Sequence, residues 1–118
     1  MKFYISGPIT GYVDKNKPKF DEAAVRLREL GHTAINPFDL DLIEPCDPLD
    51  WYANMKRDLK YLPLADSILL LPDWELSKGA LLEIALAKGL DMEFFKFNET
   101  NELIDQHIIS IPSVYSLE

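Results

Sequence analysis

An α/β fold, three layers deep with a mainly parallel sheet between two layers of helices, follows from three features of the sequence. Short apolar runs alternate with stretches of helical periodicity, the pattern of repeated strand–helix–strand units. The run Ile68-Leu69-Leu70-Leu71 is apolar throughout, as a strand covered on both faces must be, and it stops at Pro72. Glycine or proline punctuates the chain after the first three of these runs, at Gly7-Pro8, Pro37 and Pro72. Right-handed crossovers leave few topologies for such a chain, and the flavodoxin-like strand order 2-1-3-4-5 leads them.

Each element has its own signal. Lys2-Phe3-Tyr4-Ile5-Ser6 reads as the first strand, ended by Gly7-Pro8, with a second glycine at Gly11. Pro18 suits a first helical turn; Phe20, Ala23, Ala24, Leu27 and Leu30 follow at helical spacing, and Gly31 is placed to cap the end. Thr33–Asn36 is a short strand stopped by Pro37, and Phe38–Cys46 reads as an ordered loop. Asp47 as N-cap and Pro48 in the first turn open a second helix. Its inner stripe is Trp51, Met55, Leu59 and Leu62, and it ends near Pro63. Asp66–Leu71 is the third strand, Lys78–Leu90 the third helix and Met92–Phe97 the fourth strand. The tail from Asn98 to Glu118 is expected to hold a short helix and an extended piece around His107–Ile111.

Composition narrows the classes of function. The 118 residues suit one domain, 1–118, and an apolar content of 47% is enough for a core. A net charge of −8 argues against a nucleic-acid surface, which needs clustered Lys and Arg, but leaves room for a small nucleotide. Cys46, a single thiol, fits a reducing compartment. No stretch has the length of a membrane span and the first residues lack the pattern of a signal peptide, so a cytoplasmic protein is expected. His32 and His107 have no acid or cysteine at a metal-ligand spacing, so neither metal nor cofactor is expected.

In the order 2-1-3-4-5 the chain reverses direction between the first and third strands. The crevice at their carboxyl ends collects the loop at Gly7, the loop at Asp73 and the helix bearing Glu83. Glu83 is the acid of most interest, alone in the uncharged run Gly79-Ala80-Leu81-Leu82-Glu83-Ile84-Ala85-Leu86-Ala87. Desolvation there raises a carboxyl pKa and suits it to nucleophilic or acid chemistry, although a satisfied structural acid fits the same pattern. Asp58 borders the inner face of its helix, and on spacing alone it is a surface acid paired with Lys56 or Arg57. Asp73 ends a central strand, where it is a site acid or a turn residue. Ser77 is a helix cap or a substrate contact. Trp74 offers a face for a flat ring, and Tyr4 and Trp51 do so or pack in the core. The glycine-containing turn Ser6-Gly7-Pro8-Ile9-Thr10-Gly11 lets a ligand approach the backbone, although its spacing is not that of a P-loop or a dinucleotide site.

Four segments in this order and spacing, Tyr4-Ile5-Ser6-Gly7-Pro8-Ile9-Thr10-Gly11, Arg57-Asp58-Leu59, Ala65-Asp66 and Ser77-Lys78-Gly79-Ala80-Leu81-Leu82-Glu83, resemble the nucleoside 2-deoxyribosyltransferase superfamily. The likeness runs from residue 2 to about residue 97, toward a small, mainly bacterial and phage branch, and extends to the deoxynucleoside 5′-monophosphate N-glycosidases. The resemblance implies the flavodoxin-like sheet, with Glu83 as catalytic nucleophile and Asp58 as an acid that orients the sugar or handles a proton. It makes Tyr4 an active-site tyrosine and Ser77 the contact for a 5′-phosphate. It puts Asp73 in the loop where transferases carry an acid near the base. Ser6, Gly7 and Trp74 complete the expected substrate contacts.

Where the glycosidases carry a serine and an arginine in the first loop, this chain has Pro8 and Thr10, which leaves an unphosphorylated nucleoside open as substrate. The resemblance further implies a homodimer or larger assembly, because related enzymes complete each site with residues from a neighbouring subunit. The expected activity is transfer or hydrolysis at the N-glycosidic bond of a deoxynucleoside or deoxynucleotide. The alternative is a non-catalytic nucleotide-binding or signalling module on the same fold.

Overall fold

The computed structural model describes residues 1–108. Five strands, β1 (Lys2–Ser6), β2 (Thr33–Ile35), β3 (Ser67–Leu70), β4 (Glu93–Phe97) and β5 (Leu103–Asp105), form one sheet. The helices are α1 (Lys17–Glu29), α2 (Pro37–Ile43), α3 (Trp51–Tyr61) and α4 (Lys78–Gly89). The strand order is β2-β1-β3-β4-β5, with β5 antiparallel to β4 and the other pairings parallel, as the sequence predicts for a mainly parallel sheet.

Alternation along each strand sorts the core into two halves, because successive strand side chains point to opposite faces. On one face Phe3, Ile5, Leu69, Leu71 and Phe95 pack against Phe20, Ala23, Ala24 and Leu27 of α1. On the other, Tyr4, Ile68, Leu70 and Phe94 pack against Leu62, Ile84 and Ala87. Ser6 lies two residues beyond Tyr4 and shares its face, so β1 presents a hydroxyl toward α4 at its carboxyl end. The two central strands are close there. Leu71 N donates to Ser6 O at 2.9 Å, and a Cβ on Gly7 would stand only 2.7 Å from Leu71 Cβ. The small residue at position 7 therefore serves the seam between β1 and β3.

Four expectations need correction. Phe38–Cys46 is not a loop throughout, since α2 occupies Pro37–Ile43: Asn36 caps it by accepting from Phe38 N at 3.1 Å, Pro37 fills its first turn and Leu40 is buried beneath it. The next helix begins later than Asp47. Asp50 is the N-cap, accepting from Ala53 N at 3.0 Å, while Asp47 accepts from Leu49 N at 2.9 Å and closes the preceding turn. Trp51 is half-buried at the start of α3 rather than in the core, with Lys78 Nζ 4.3 Å from its ring centroid. The last strand lies at Leu103–Asp105, earlier than the extended piece expected around His107–Ile111. His107 and Ile108 are not in a strand, and Ile109–Ile111 lie outside the described residues.

Candidate active site

The chain enters α4 through a tight series of turns. Asp73 takes a left-handed conformation, φ +68°, which Asp tolerates better than most residues. A 3₁₀ turn, Trp74–Leu76, follows, and Ser77 Oγ caps α4 by accepting from Ala80 N at 3.1 Å. Gly79, which stands near Met55 of α3, allows a close approach: a Cβ there would lie 3.2 Å from Met55 Sδ. The second turn of α4 then carries Glu83 onto the buried side of the helix with Ala80, Ile84 and Ala87.

Glu83 is 5% exposed, and both its oxygens accept hydrogen bonds from β1. Ser6 Oγ donates to Oε1 at 2.8 Å, and the Tyr4 hydroxyl donates to Oε2. Burial pushes the Glu83 pKa from 4.5 up to about 8; the hydrogen bonds from Tyr4 and Ser6 oppose that rise, and the charge of Asp58 adds to it. Burial likewise drives the Tyr4 hydroxyl well above its ordinary value, with Glu83 and Asp58 reinforcing the effect. Tyr4 is thus a neutral donor in this cluster.

Asp58 is also inside, contrary to the surface acid expected from its spacing. Its pairing with Arg57 is as expected, and the reason for its burial is that Arg57 is buried with it. Arg57 Nε and Nη2 each stand 3.0 Å from Asp58 Oδ1, and Nη1 donates to Asp41 Oδ1 at 2.6 Å and to the Glu44 carbonyl at 3.4 Å. Burial raises the Asp58 pKa from 3.8 to about 6, although Arg57 pulls it down. Two buried acids with raised pKa values therefore face a buried cation and a neutral phenol.

The predicted residues fall into two groups. Tyr4, Ser6, Asp58 and Glu83 form the buried cluster on the α4 face. Asp73 borders a groove of about 940 Å³ on the α1 face, together with Arg26, Lys96 and Phe97, and Glu83 does not line it; Trp74 touches this groove and also packs against the α4-face core around Tyr4 and Ile84. The exposed hydroxyl of Tyr12 donates to Asp73 Oδ2 at 3.2 Å, tying the loop after β1 to the loop after β3. Ser77 is half-buried at the start of α4, and Gly7 is buried against Leu71. Sequence alone does not point to Asp41 or Tyr12, and it gives Arg57 only as a partner for Asp58. For Arg57 the available signal was its place beside Asp58 on a helix; nothing in the sequence brings Asp41 to it.

Residues 1–96 match the family described as "Domain of unknown function (DUF4406)". The chain belongs to the DUF4406 family. The fold is the one seen in a 2-deoxyribosyltransferase. The 2-deoxyribosyltransferase of the psychrotolerant bacterium Bacillus psychrosaccharolyticus superposes with a TM-score of 0.64 at 22% identity, over 89% of this chain and 77% of that one. No curated protein matches the sequence. Among the described residues no helix is long and apolar enough to cross a membrane, and no group of three or more His, Cys, Asp or Glu is arranged to hold a metal ion. For this DUF4406 protein, the cluster around Glu83 is the candidate active site.

Proposed function

We propose that this DUF4406 chain cleaves or exchanges the N-glycosidic bond of a deoxynucleoside or deoxynucleotide, with Glu83 as nucleophile. The observation that carries the reading is the buried Glu83 carboxylate, held through both oxygens by Tyr4 and Ser6 at the carboxyl end of a central strand. The fold it shares with a 2-deoxyribosyltransferase, described as a biocatalyst for nucleoside synthesis, supports the substrate class.

In the first step a Glu83 oxygen bonds to C1′ as the C1′–N bond breaks and its electron pair leaves with the base. Asp58, the second acid of the cluster, delivers a proton to that base. In the second step a new base or water attacks C1′ and gives its proton to the acid that donated one, the ester bond breaks and the Glu83 carboxylate is regenerated with overall retention. Desolvation makes Glu83 the stronger nucleophile once ionised, and the positive charge developing on the sugar favours the ionised form. Gly7, Trp74 and Ser77 take the remaining substrate contacts in this reading. Residues 1–118 act as one unit, in the cytoplasm, as a homodimer or larger assembly.

A second reading, a non-catalytic nucleotide-binding or signalling module, is favoured by the same burial, since Glu83 already has both oxygens satisfied and is nearly closed off. Incubation with each 2′-deoxynucleoside and its 5′-monophosphate, with and without a second free base, separates the two. Base exchange indicates a transferase and free base alone a hydrolase, each abolished in Glu83→Gln with a deoxyribosyl adduct on Glu83 of the wild type. Ligand binding with no turnover supports the module.

A further inference from the structure

We propose that Arg57 is a positioning residue for Asp58: it takes Asp58 Oδ1 with two of its nitrogens and leaves Oδ2 as the single working oxygen. The inference rests on the reading of Glu83 and Asp58 as the working acids of the site and deepens it.

Neighbouring residues on a helix point in different directions and do not ordinarily meet. Arg57 and Asp58 are adjacent on α3, yet the guanidinium curls back so that Nε and a terminal nitrogen each stand 3.0 Å from Oδ1. Among the described residues no hydrogen bond reaches Oδ2. The guanidinium is itself fixed from outside α3, because its remaining nitrogen donates to Asp41 Oδ1 of α2 at 2.6 Å and to the Glu44 carbonyl at 3.4 Å. Its side chain is 4% exposed, whereas that of Asp41 is 50% exposed. The anchor therefore runs from the surface of α2 into the buried acid pair. A planar fork held at three acceptors sets the plane of Asp58, which a lysine's single ammonium cannot do.

The charged and titratable groups facing Asp58 are Arg57 from α3, Asp41 from α2, Glu83 from α4 and Tyr4 from β1. Arg57 is the cation among them. Removing it leaves acids facing acids, and replacing it with lysine keeps a charge but loses the fork.

The test is a carbon-detected NMR titration of the Asp58 carboxyl in the wild type, Arg57→Met and Arg57→Lys, with kcat and KM for a 2′-deoxynucleoside measured alongside. The Asp58 midpoint is expected to move up in both variants, by about one unit or more in Arg57→Met and by less in Arg57→Lys. In Arg57→Lys, kcat is expected to fall about tenfold while KM stays within about threefold, the signature of a misplaced reacting group. A midpoint unchanged in the variants that fold overturns the proposal, as does an effect confined to KM. If Arg57→Met does not fold, the Arg57→Lys titration decides alone. If the wild type turns over no deoxynucleoside, the proposed reaction fails while the titration still decides whether Arg57 governs Asp58.

Discussion

Ser6 Oγ stands 2.8 Å from Glu83 Oε1, joining the end of β1 to the second turn of α4 across 77 residues of chain. Tyr4, on the same face of the same strand, donates to the other oxygen. The carboxylate is therefore gripped by the sheet rather than by loops, and its position follows from the register of β1 against β3 and from the seating of α4. Both donors favour the charged form, yet burial outweighs them and the acid holds its proton to about pH 8.

That balance gives a pH dependence of stability with a definite sign. A Glu83 pKa raised from 4.5 to about 8 means the folded chain binds more protons than the unfolded one between those values. Stability then falls as pH rises through that window, by on the order of 3–5 kcal/mol from this group alone. Asp58, raised from 3.8 to about 6, acts in the same direction over its own lower window. Glu83→Gln is expected to remain folded, to lose turnover and to flatten the fall between pH 5 and pH 8. Urea melts of both proteins at the two pH values check it; parallel pH dependences would show that Glu83 titrates as an ordinary acid.

Tyr4→Phe removes one of the two donors that hold the Glu83 pKa down. The midpoint for ionising Glu83 is expected to rise beyond about 8, moving the rising limb of kcat/KM to higher pH. Leaving a buried acceptor short of a partner costs about 1–3 kcal/mol, read by denaturant melts. An activity profile at the wild-type position would mean that the tyrosine does not govern the charge on Glu83.

The strand order and the isolation of Glu83 were legible because each has a local cause: apolar runs of strand length, and an uncharged helical stretch around one acid. The burial of Asp58 was not legible from its spacing. It depends on Arg57 being drawn inside by Asp41 and the Glu44 carbonyl, a contact between distant segments. The helix α2 spans only Pro37–Ile43, too short for a periodicity to register, although Asn36-Pro37 carries a start signal. Asp47 followed by Pro48 reads as a cap and first turn, but Pro48 belongs to the preceding turn and Asp50 caps the helix. The separation of Asp73, on the α1 face, from Glu83 on the other depends on how the loop after β3 folds, beginning with the left-handed Asp73.

Gly7→Ala tests the seam beneath the site. The added methyl would meet Leu71 Cβ at 2.7 Å and the rest of that side chain at 3.1 and 3.2 Å, and Leu71 is itself buried in the α1-side core. Because the nearest atom is a Cβ rather than a flexible tip, the strands must shift, with a loss of about 1–3 kcal/mol in stability. Thermal or urea melts would read it. A variant as stable as the wild type would show that β1 and β3 part without cost.

Ser77→Ala separates the two roles that this hydroxyl can fill. As the N-cap of α4 it accepts from Ala80 N at 3.1 Å, and losing it is expected to cost about 1 kcal/mol whatever the ligand. A contact with a 5′-phosphate would appear separately, as a KM raised for the 5′-monophosphate and unchanged for the nucleoside. Where the glycosidase pattern has an arginine, the first loop has Thr10, and the chain carries a net charge of −8; both favour the nucleoside. The expected outcome is therefore the stability loss with both KM values little changed. A rise of about tenfold confined to the monophosphate would restore the phosphate as the group Ser77 recognises.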